Sequence, residues 1–122
     1  PGLERLDFGY NHFTSVGPEL EQLPCLRSIT FDNCKLTSVA ALHIPTLTKF
    51  GASTNALRDL PSFEGCPRLE HLGLIENELK RFDWIATTPQ GCWLDISRNG
   101  IKPAVRNALA ERFAAWTRLS LT

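Results

Sequence analysis

Several features are missing from the sequence, and each absence argues against a class of function. The 122 residues carry 13 basic and 13 acidic side chains, so no net charge marks a surface for nucleic acid or anionic lipid. No apolar run approaches the roughly 18 residues that cross a membrane. No charged-then-apolar stretch near the start is typical of a signal peptide. We therefore expect neither a nucleic-acid partner nor a membrane partner.

The cysteines and histidines form no metal-binding pattern. None of the four cysteines belongs to a C-x-x-C pair, and no histidine lies at zinc-ligand spacing. A glycine-rich phosphate loop and an N-x-S/T glycosylation motif are also absent. We expect no metal and no cofactor. We interpret the cysteines as free thiols, which predicts a reducing compartment: the cytoplasm, or a host cytoplasm into which the protein is delivered.

One eleven-residue stretch, residues 69–79, sets the pattern for the chain. It reads L-x-x-L-x-L-x-x-N-x-L: Leu72 and Leu74 alternate with outward residues as in a strand, and Asn77 follows where the strand must bend. An amide side chain at this bend can satisfy backbone groups of its own turn and of the adjacent one. We therefore expect the residues of this turn slot to line up inside the protein.

The pattern recurs five times, with steps of 23, 21, 22 and 22 residues between successive anchors. Of its 20 apolar slots, 19 hold apolar residues, and Gly91 is the exception. In the first repeat the inward residues are Leu3, Leu6, Phe8 and Phe13. The anchors are Leu6, Ile29, Phe50, Leu72 and Leu94, and the turn slot holds Asn11, Cys34, Asn55, Asn77 and Asn99.

On these motifs the chain resembles the leucine-rich repeat superfamily over essentially its whole length, and the period of about 22 residues is similar to its short class. The resemblance implies an α/β fold: a right-handed solenoid with a parallel concave sheet of five to six short strands. The convex side would be mostly 3₁₀ and irregular. The sequence around residues 94–103 is also similar to the last repeats of bacterial effector-type proteins, some of which carry a ubiquitin-ligase domain. No catalytic-cysteine motif of those ligases is present.

The fifth repeat departs from the regular spacing. Pro103 stands in a first-turn position, and Val105, Leu109 and Phe113 follow at helical spacing, which predicts an α-helix over about residues 103–115. Residues 116–121 then fit the start of a sixth strand.

The repeats define one domain. We place them at about 1–24, 25–45, 46–67, 68–90 and 91–115, with a partial sixth at 116–122. The first and last repeats lack caps for their apolar side chains. Either the chain is a segment of a longer array, or its bare ends associate with another copy.

Function is expected from the side chains that alternate with the leucines. Large side chains on an outward face are typical of protein-binding hot spots, and Trp93, His71 and Ile75 form such a group. Alternatively, Trp93 only covers the end of the sheet or touches the C-terminal helix. The candidate partner-binding residues on the concave face are Arg5, Asp7, Tyr10, Asp32, Lys49, His71, Ile75, Trp93, Asp95 and Arg98.

Catalysis is not expected. Ser53, His71 and Asp95 lie on consecutive repeats, but Ser53 and His71 are offset by four residues along the strands, roughly 13 Å at 3.3 Å per residue. That distance exceeds hydrogen-bond reach. At most, His71 and Asp95 would form a surface ion pair. The sequence thus favours a non-catalytic module that binds a protein partner, with a spacer that positions an attached domain as the alternative.

Overall fold

The computed structural model describes residues 2–12, 14–116 and 118–121. Its main feature is a parallel sheet of six short strands whose spatial order follows the chain. A second parallel sheet pairs β2 (Ser15–Val16) with β4 (Ser38–Val39). The strands of the main sheet are β1 (Arg5–Asp7), β3 (Ser28–Thr30), β5 (Lys49–Gly51), β6 (His71–Gly73), β7 (Trp93–Asp95) and β8 (Leu119–Ser120).

The register of the sheet follows the sequence repeat. Phe50 pairs with Ile29 on one side and with Leu72 on the other, and Leu94 pairs with Leu119. Each anchor therefore stacks on the anchor of the next coil, which confirms the predicted α/β solenoid of leucine-rich-repeat type and its sixth strand. We number the coils one to five by the strands β1, β3, β5, β6 and β7.

Aromatic rings run through the interior from coil to coil. Ring centroids are 5.0 Å apart for Phe8 and Phe31, 6.4 Å for Phe31 and Phe50, and 6.2 Å for Phe50 and Phe63. Phe63 then meets Trp84 edge-on at 6.1 Å. Phe50 and Phe63 lie in the same coil, and the other three pairs join successive coils, so each coil buries much of its apolar surface against its neighbours.

Hydrogen bonds from the turn slot join the coils as well. The Oδ1 atom of Asn55 accepts the backbone N–H groups of Cys34 and Leu36, both at 2.9 Å. Asn77 and Asn99 are 7% and 4% exposed and bond in the same way. Asn11 corrects the prediction, because it is exposed and, among the described residues, its side chain bonds to carbonyl groups of its own turn.

The outer side is mostly irregular, as predicted, with 3₁₀ turns at Pro18–Gln22 and Asp83–Thr87. The helix α1 spans Pro103–Arg112, so it starts as predicted and ends three residues early. Phe113 leaves the helical conformation because its ring is buried and meets Trp116 edge-on at 5.2 Å.

The first coil is less buried than the middle ones. Leu6 and Phe8 are only partly buried, and Leu3 is 47% exposed, which corrects its assignment as an inward residue. The inward prediction for Phe13 lies outside the described residues. Since no earlier coil packs on Leu3, its side chain loses less contact with water than Leu26, which is fully buried in coil two.

Candidate functional site

The outward side chains of the strands form the candidate site, which we call the sheet face. Strand pairing aligns them in columns, as the sequence predicted. The first outward column is Arg5, Ser28, Lys49, His71 and Trp93; the second is Asp7, Thr30, Gly51, Gly73 and Asp95. The third outward column follows the strands with Gly9, Asp32, Ser53, Ile75 and Ser97, and the flanking column is Tyr10, Asn33, Thr54, Glu76 and Arg98.

Trp93 stacks on His71 at one end of the first outward column. Their ring centroids are 4.9 Å apart and their planes differ by 13°. Trp93 is nevertheless 45% exposed. Its ring thus stacks on a side chain of the neighbouring strand, and the pair leaves part of the indole exposed on the sheet face.

An open space lies beside this aromatic pair. A Cβ atom built on Gly73 would have a single close neighbour, the Oγ of Ser53 at 3.6 Å. The adjacent Gly51 is covered, because a Cβ there would meet the side chain of Thr30 at 3.1 Å. The surface of the sheet face therefore has its deepest depression at Gly73.

Each of the three aspartates of the sheet face accepts a hydrogen bond from a backbone N–H group. The Oδ1 atom of Asp32 accepts the N–H of Ser53 from the next coil at 2.9 Å. The Oδ1 atom of Asp95 accepts the N–H and the Oγ–H of Ser97, at 3.2 and 2.6 Å. Asp7 accepts the N–H of Gly9. Each carboxylate thus has a structural bond, a role that the sequence analysis missed and that an Asp two residues before a turn could have signalled.

Asp7 also has a perturbed acidity. The N–H of Gly9 donates to it at 2.9 Å, and this bond is the main reason that the pKa of Asp7 is lowered from 3.8. The hydroxyl group of Thr30 and the charge of Lys49 act in the same direction, against a small opposing effect of burial. The charge of Lys49 therefore acts on Asp7 across the sheet face, as the smallest of these contributions.

The flanking column shares an uncommon backbone conformation. Tyr10 has a φ of 62° and Arg98 a φ of 57°, and Asn33, Thr54 and Glu76 between them also lie in the left-handed region. Tyr10 is 85% exposed, and Arg98 is also exposed. These two candidates therefore project from the turn, beside the sheet rather than on it.

The other side-chain interactions that the sequence analysis considered are not formed among the described residues. No ion pair joins His71 to Asp95 within the described ranges, because His71 stacks on Trp93 and Asp95 bonds to Ser97. The Oγ of Ser53 accepts the N–H of Ile75 at 3.1 Å. Among the described residues, no group of three metal-ligating side chains comes together. None of the described helices is long and apolar enough to span a membrane.

Comparison with known proteins supports the fold. Over 65 residues, which are 51% of this chain, the sequence is 35% identical to the leucine-rich repeat-containing G-protein coupled receptor 5 of Xenopus tropicalis. It is 34% identical to the receptor of the same name from Rattus norvegicus over the same length. The aligned segment covers only 7% of either receptor. No protein-family model matches the sequence. Together, the parallel sheet and these similarities show a solenoid of leucine-rich-repeat type, a fold that supports a protein-interaction module.

Proposed function

We propose that the sheet face binds a protein partner and that the partner contacts the Trp93–His71 pair. The observation that carries this proposal is the stacked pair itself, in which a large indole stays 45% exposed on a regular sheet. Trp is enriched among residues that dominate binding energies. The open space over Gly73 lies between the pair and the partly exposed Ile75, which is roughly 13 Å beyond His71 along the strand direction. A side chain of the partner therefore has room to enter between the rings and this apolar side chain.

The remaining sheet-face candidates surround this centre. Lys49 pairs with His71 across the strands, and Arg5 and Asp7 lie two coils further away. Charged residues at the rim of an interface mainly set the association rate and the choice of partner. We assign this role to Arg5, Lys49 and Arg98, and we expect weaker effects from them than from Trp93.

Photo-crosslinking tests the proposal, because it captures whichever protein contacts the sheet face in the cell. The photoreactive residue p-benzoylphenylalanine is placed at position 49 on the sheet face or, as a control, at the exposed position 68, and the protein is irradiated in its native cells. We expect a defined protein adduct from position 49 only. Adding Trp93→Ala, His71→Ala and Ile75→Ala should reduce its yield by about 30-fold or more, because loss of about 2 kcal/mol of binding corresponds to that factor.

A matched triple substitution away from the sheet face controls for loss of fold. Leu3→Ala, Arg81→Ala and Glu111→Ala remove exposed side chains, one of them apolar, and should leave the adduct unchanged. The proposal fails if the sheet-face variant is folded by circular dichroism and gives the adduct in the same yield. That result would favour the alternative, in which the repeats only position an attached domain, such as an effector or ubiquitin-ligase domain.

A further inference from the structure

A groove of about 260 Å³ opens on the outer side of the solenoid, between coil four and the start of α1. It shares no residue with the sheet face. Apolar side chains and two lysines line it: Leu79, Phe82, Ile101 and Val105 with Lys80 and Lys102.

Two residues that line the groove carry backbone acceptors whose counterparts in the preceding coil are hydrogen-bonded. The carbonyl oxygens of Leu57 and Arg58 accept the N–H groups of Glu78 and Lys80, at 3.0 and 2.9 Å. The corresponding carbonyl groups one coil later belong to Leu79 and Lys80, and no N–H among the described residues donates to them. An extended chain that lies in the groove could supply these donors.

Coil five leaves these positions for a reason that the sequence shows. Pro103, which has no N–H, starts α1 at the repeat position where coil two continues into the strand β4 (Ser38–Val39). The chain therefore turns away from coil four, and the apolar lining is open at Ile101 and Val105, while Leu79 and Phe82 form its buried floor at 2% and 8% exposed. Val105, on the first turn of α1, is 43% exposed.

The charge of the groove has one sign. Lys80 and Lys102 are both exposed, neither belongs to an ion pair within the described ranges, and no acidic side chain lines the groove. Two unpaired cations beside an apolar lining are complementary to carboxylates that flank an aliphatic side chain.

We propose that this groove docks an extended segment of a partner protein in which acidic residues alternate with aliphatic ones. The aliphatic side chain packs against Phe82, Ile101 and Val105, and the carboxylates lie at Lys80 and Lys102. The backbone of the segment donates to the carbonyl groups of Leu79 and Lys80. This site is independent of the sheet face, so each of the two proposals can fail without the other.

Selection from a phage-displayed library of random twelve-residue peptides tests the proposal. The wild-type protein is the bait, and a Lys80→Glu/Lys102→Glu variant is used for counter-selection. We expect peptides with at least two acidic residues in alternation with aliphatic ones, whose affinity falls tenfold or more on the variant. A Lys35→Glu/Arg68→Glu variant has the same change in net charge at exposed positions outside the groove and should bind them normally.

Two measurements on the selected peptides locate and define the site. In ¹⁵N–¹H spectra the peptide should shift the amide signals of residues 79–82 and 100–105, and Trp93→Ala should not weaken its binding. N-methylation of alternate peptide bonds should weaken it tenfold or more, because the backbone donors are lost.

Several outcomes would overturn the proposal. They are enrichment of neutral or basic peptides, no enrichment at all, or shifts confined to the sheet face. Equal binding of the N-methylated peptide would exclude backbone pairing. If sodium octanoate alone shifts residues 79–82 and 100–105 and no peptide does, the occupant is a fatty-acid carboxylate rather than a protein segment.

Discussion

The side-chain oxygen of Asn99 accepts the backbone N–H of Asn77 at 3.1 Å and thereby connects the turns of two successive coils. It also accepts the N–H of Leu79 at 3.2 Å, while the side-chain nitrogen of Asn99 donates to the carbonyl group of Leu74 at 3.0 Å. Each of the turn asparagines Asn55, Asn77 and Asn99 thus satisfies backbone groups of the coil before it. Its removal should affect two coils at once.

Asn77→Ala should lower the free energy of unfolding by about 1–3 kcal/mol, because it leaves buried backbone groups without partners. The bonds that are lost include those to the N–H of Leu57 at 3.1 Å and to the carbonyl group of Ala52 at 2.9 Å. Urea unfolding followed by circular dichroism measures the effect. Asn11→Ala is the control. Because Asn11 is exposed, its substitution should lower the free energy of unfolding by less than half as much. Equal stability of Asn77→Ala and wild type would contradict the prediction.

Cys34→Asn should stabilise the protein. The thiol of Cys34 donates to the carbonyl group of Phe8 at 2.9 Å, but a thiol is a weak acceptor, whereas an amide oxygen here could accept N–H groups of coil one. We expect a gain of about 1 kcal/mol, the net value of a typical hydrogen bond. Cys34→Ala, which lacks both functions, should melt below wild type, and the prediction is wrong if Cys34→Asn melts at or below the wild-type temperature.

Gly65→Ala should destabilise the fold because the backbone of the previous coil lies too close. A Cβ atom at this position would lie 2.3 Å from the carbonyl oxygen of Leu42 and 2.8 Å from the Cα of His43. Neither atom can move without the chain, so we expect a loss of about 1–3 kcal/mol in urea unfolding. Gly91→Ala, with nothing within 4 Å of the new atom, should change stability by less than about 0.5 kcal/mol. Similar losses for the two variants would rule out close approach as the cause.

Alkaline pH should weaken the fold partly through Cys92. Burial, with a smaller contribution from the charge of Glu70, raises the pKa of this thiol from 9.0 to about 12. The pKa of Cys92 is higher in the folded protein than in the unfolded one. The contribution of its protonated thiol to stability is therefore fully present below pH 9 and is lost as pH rises from 9 through 12. In Cys92→Ala, the free energy of unfolding should therefore fall less steeply over this range.

Thiol labelling provides an independent check on the same residue. At pH 8 iodoacetamide should modify the exposed Cys25 rapidly and Cys92 only on unfolding, because Cys92 has no exposed surface. Rapid labelling of Cys92 in the native protein, read by mass spectrometry of its peptide, would exclude the buried, protonated thiol.

The fold could be predicted from the sequence because one short motif specifies both period and direction. Leu72 and Leu74 fix which side of a strand faces inward, and a repeat of about 22 residues places each strand on the next. The small β2–β4 sheet was missed, since two-residue strands such as Ser15–Val16 carry no periodic signal. The helix end was placed too late because Phe113 has helical spacing but is drawn into the core by tertiary packing.

The site could be predicted only as a set of columns. Spacing alone puts His71 and Trp93 side by side, but stacking depends on side-chain torsions that no pattern encodes. The bonds from Asp32 and Asp95 to backbone N–H groups were likewise hidden, because carboxylates on a surface are usually solvated. The deviation of coil five could be located at Pro103, but the groove at Lys80 and Lys102 depends on how the helix lies against coil four, which residue spacing does not encode.

The three tryptophans occupy three different environments, and this gives the protein a built-in optical reporter. Trp84 is buried beside Phe63, and Trp116 is half-buried and donates to the hydroxyl group of Thr88 at 2.9 Å. Trp93 is the most exposed of the three and lies on the sheet face. Acrylamide should therefore quench the fluorescence of Trp93 first, and a partner that covers the sheet face should protect it, so occupancy can be followed without any label.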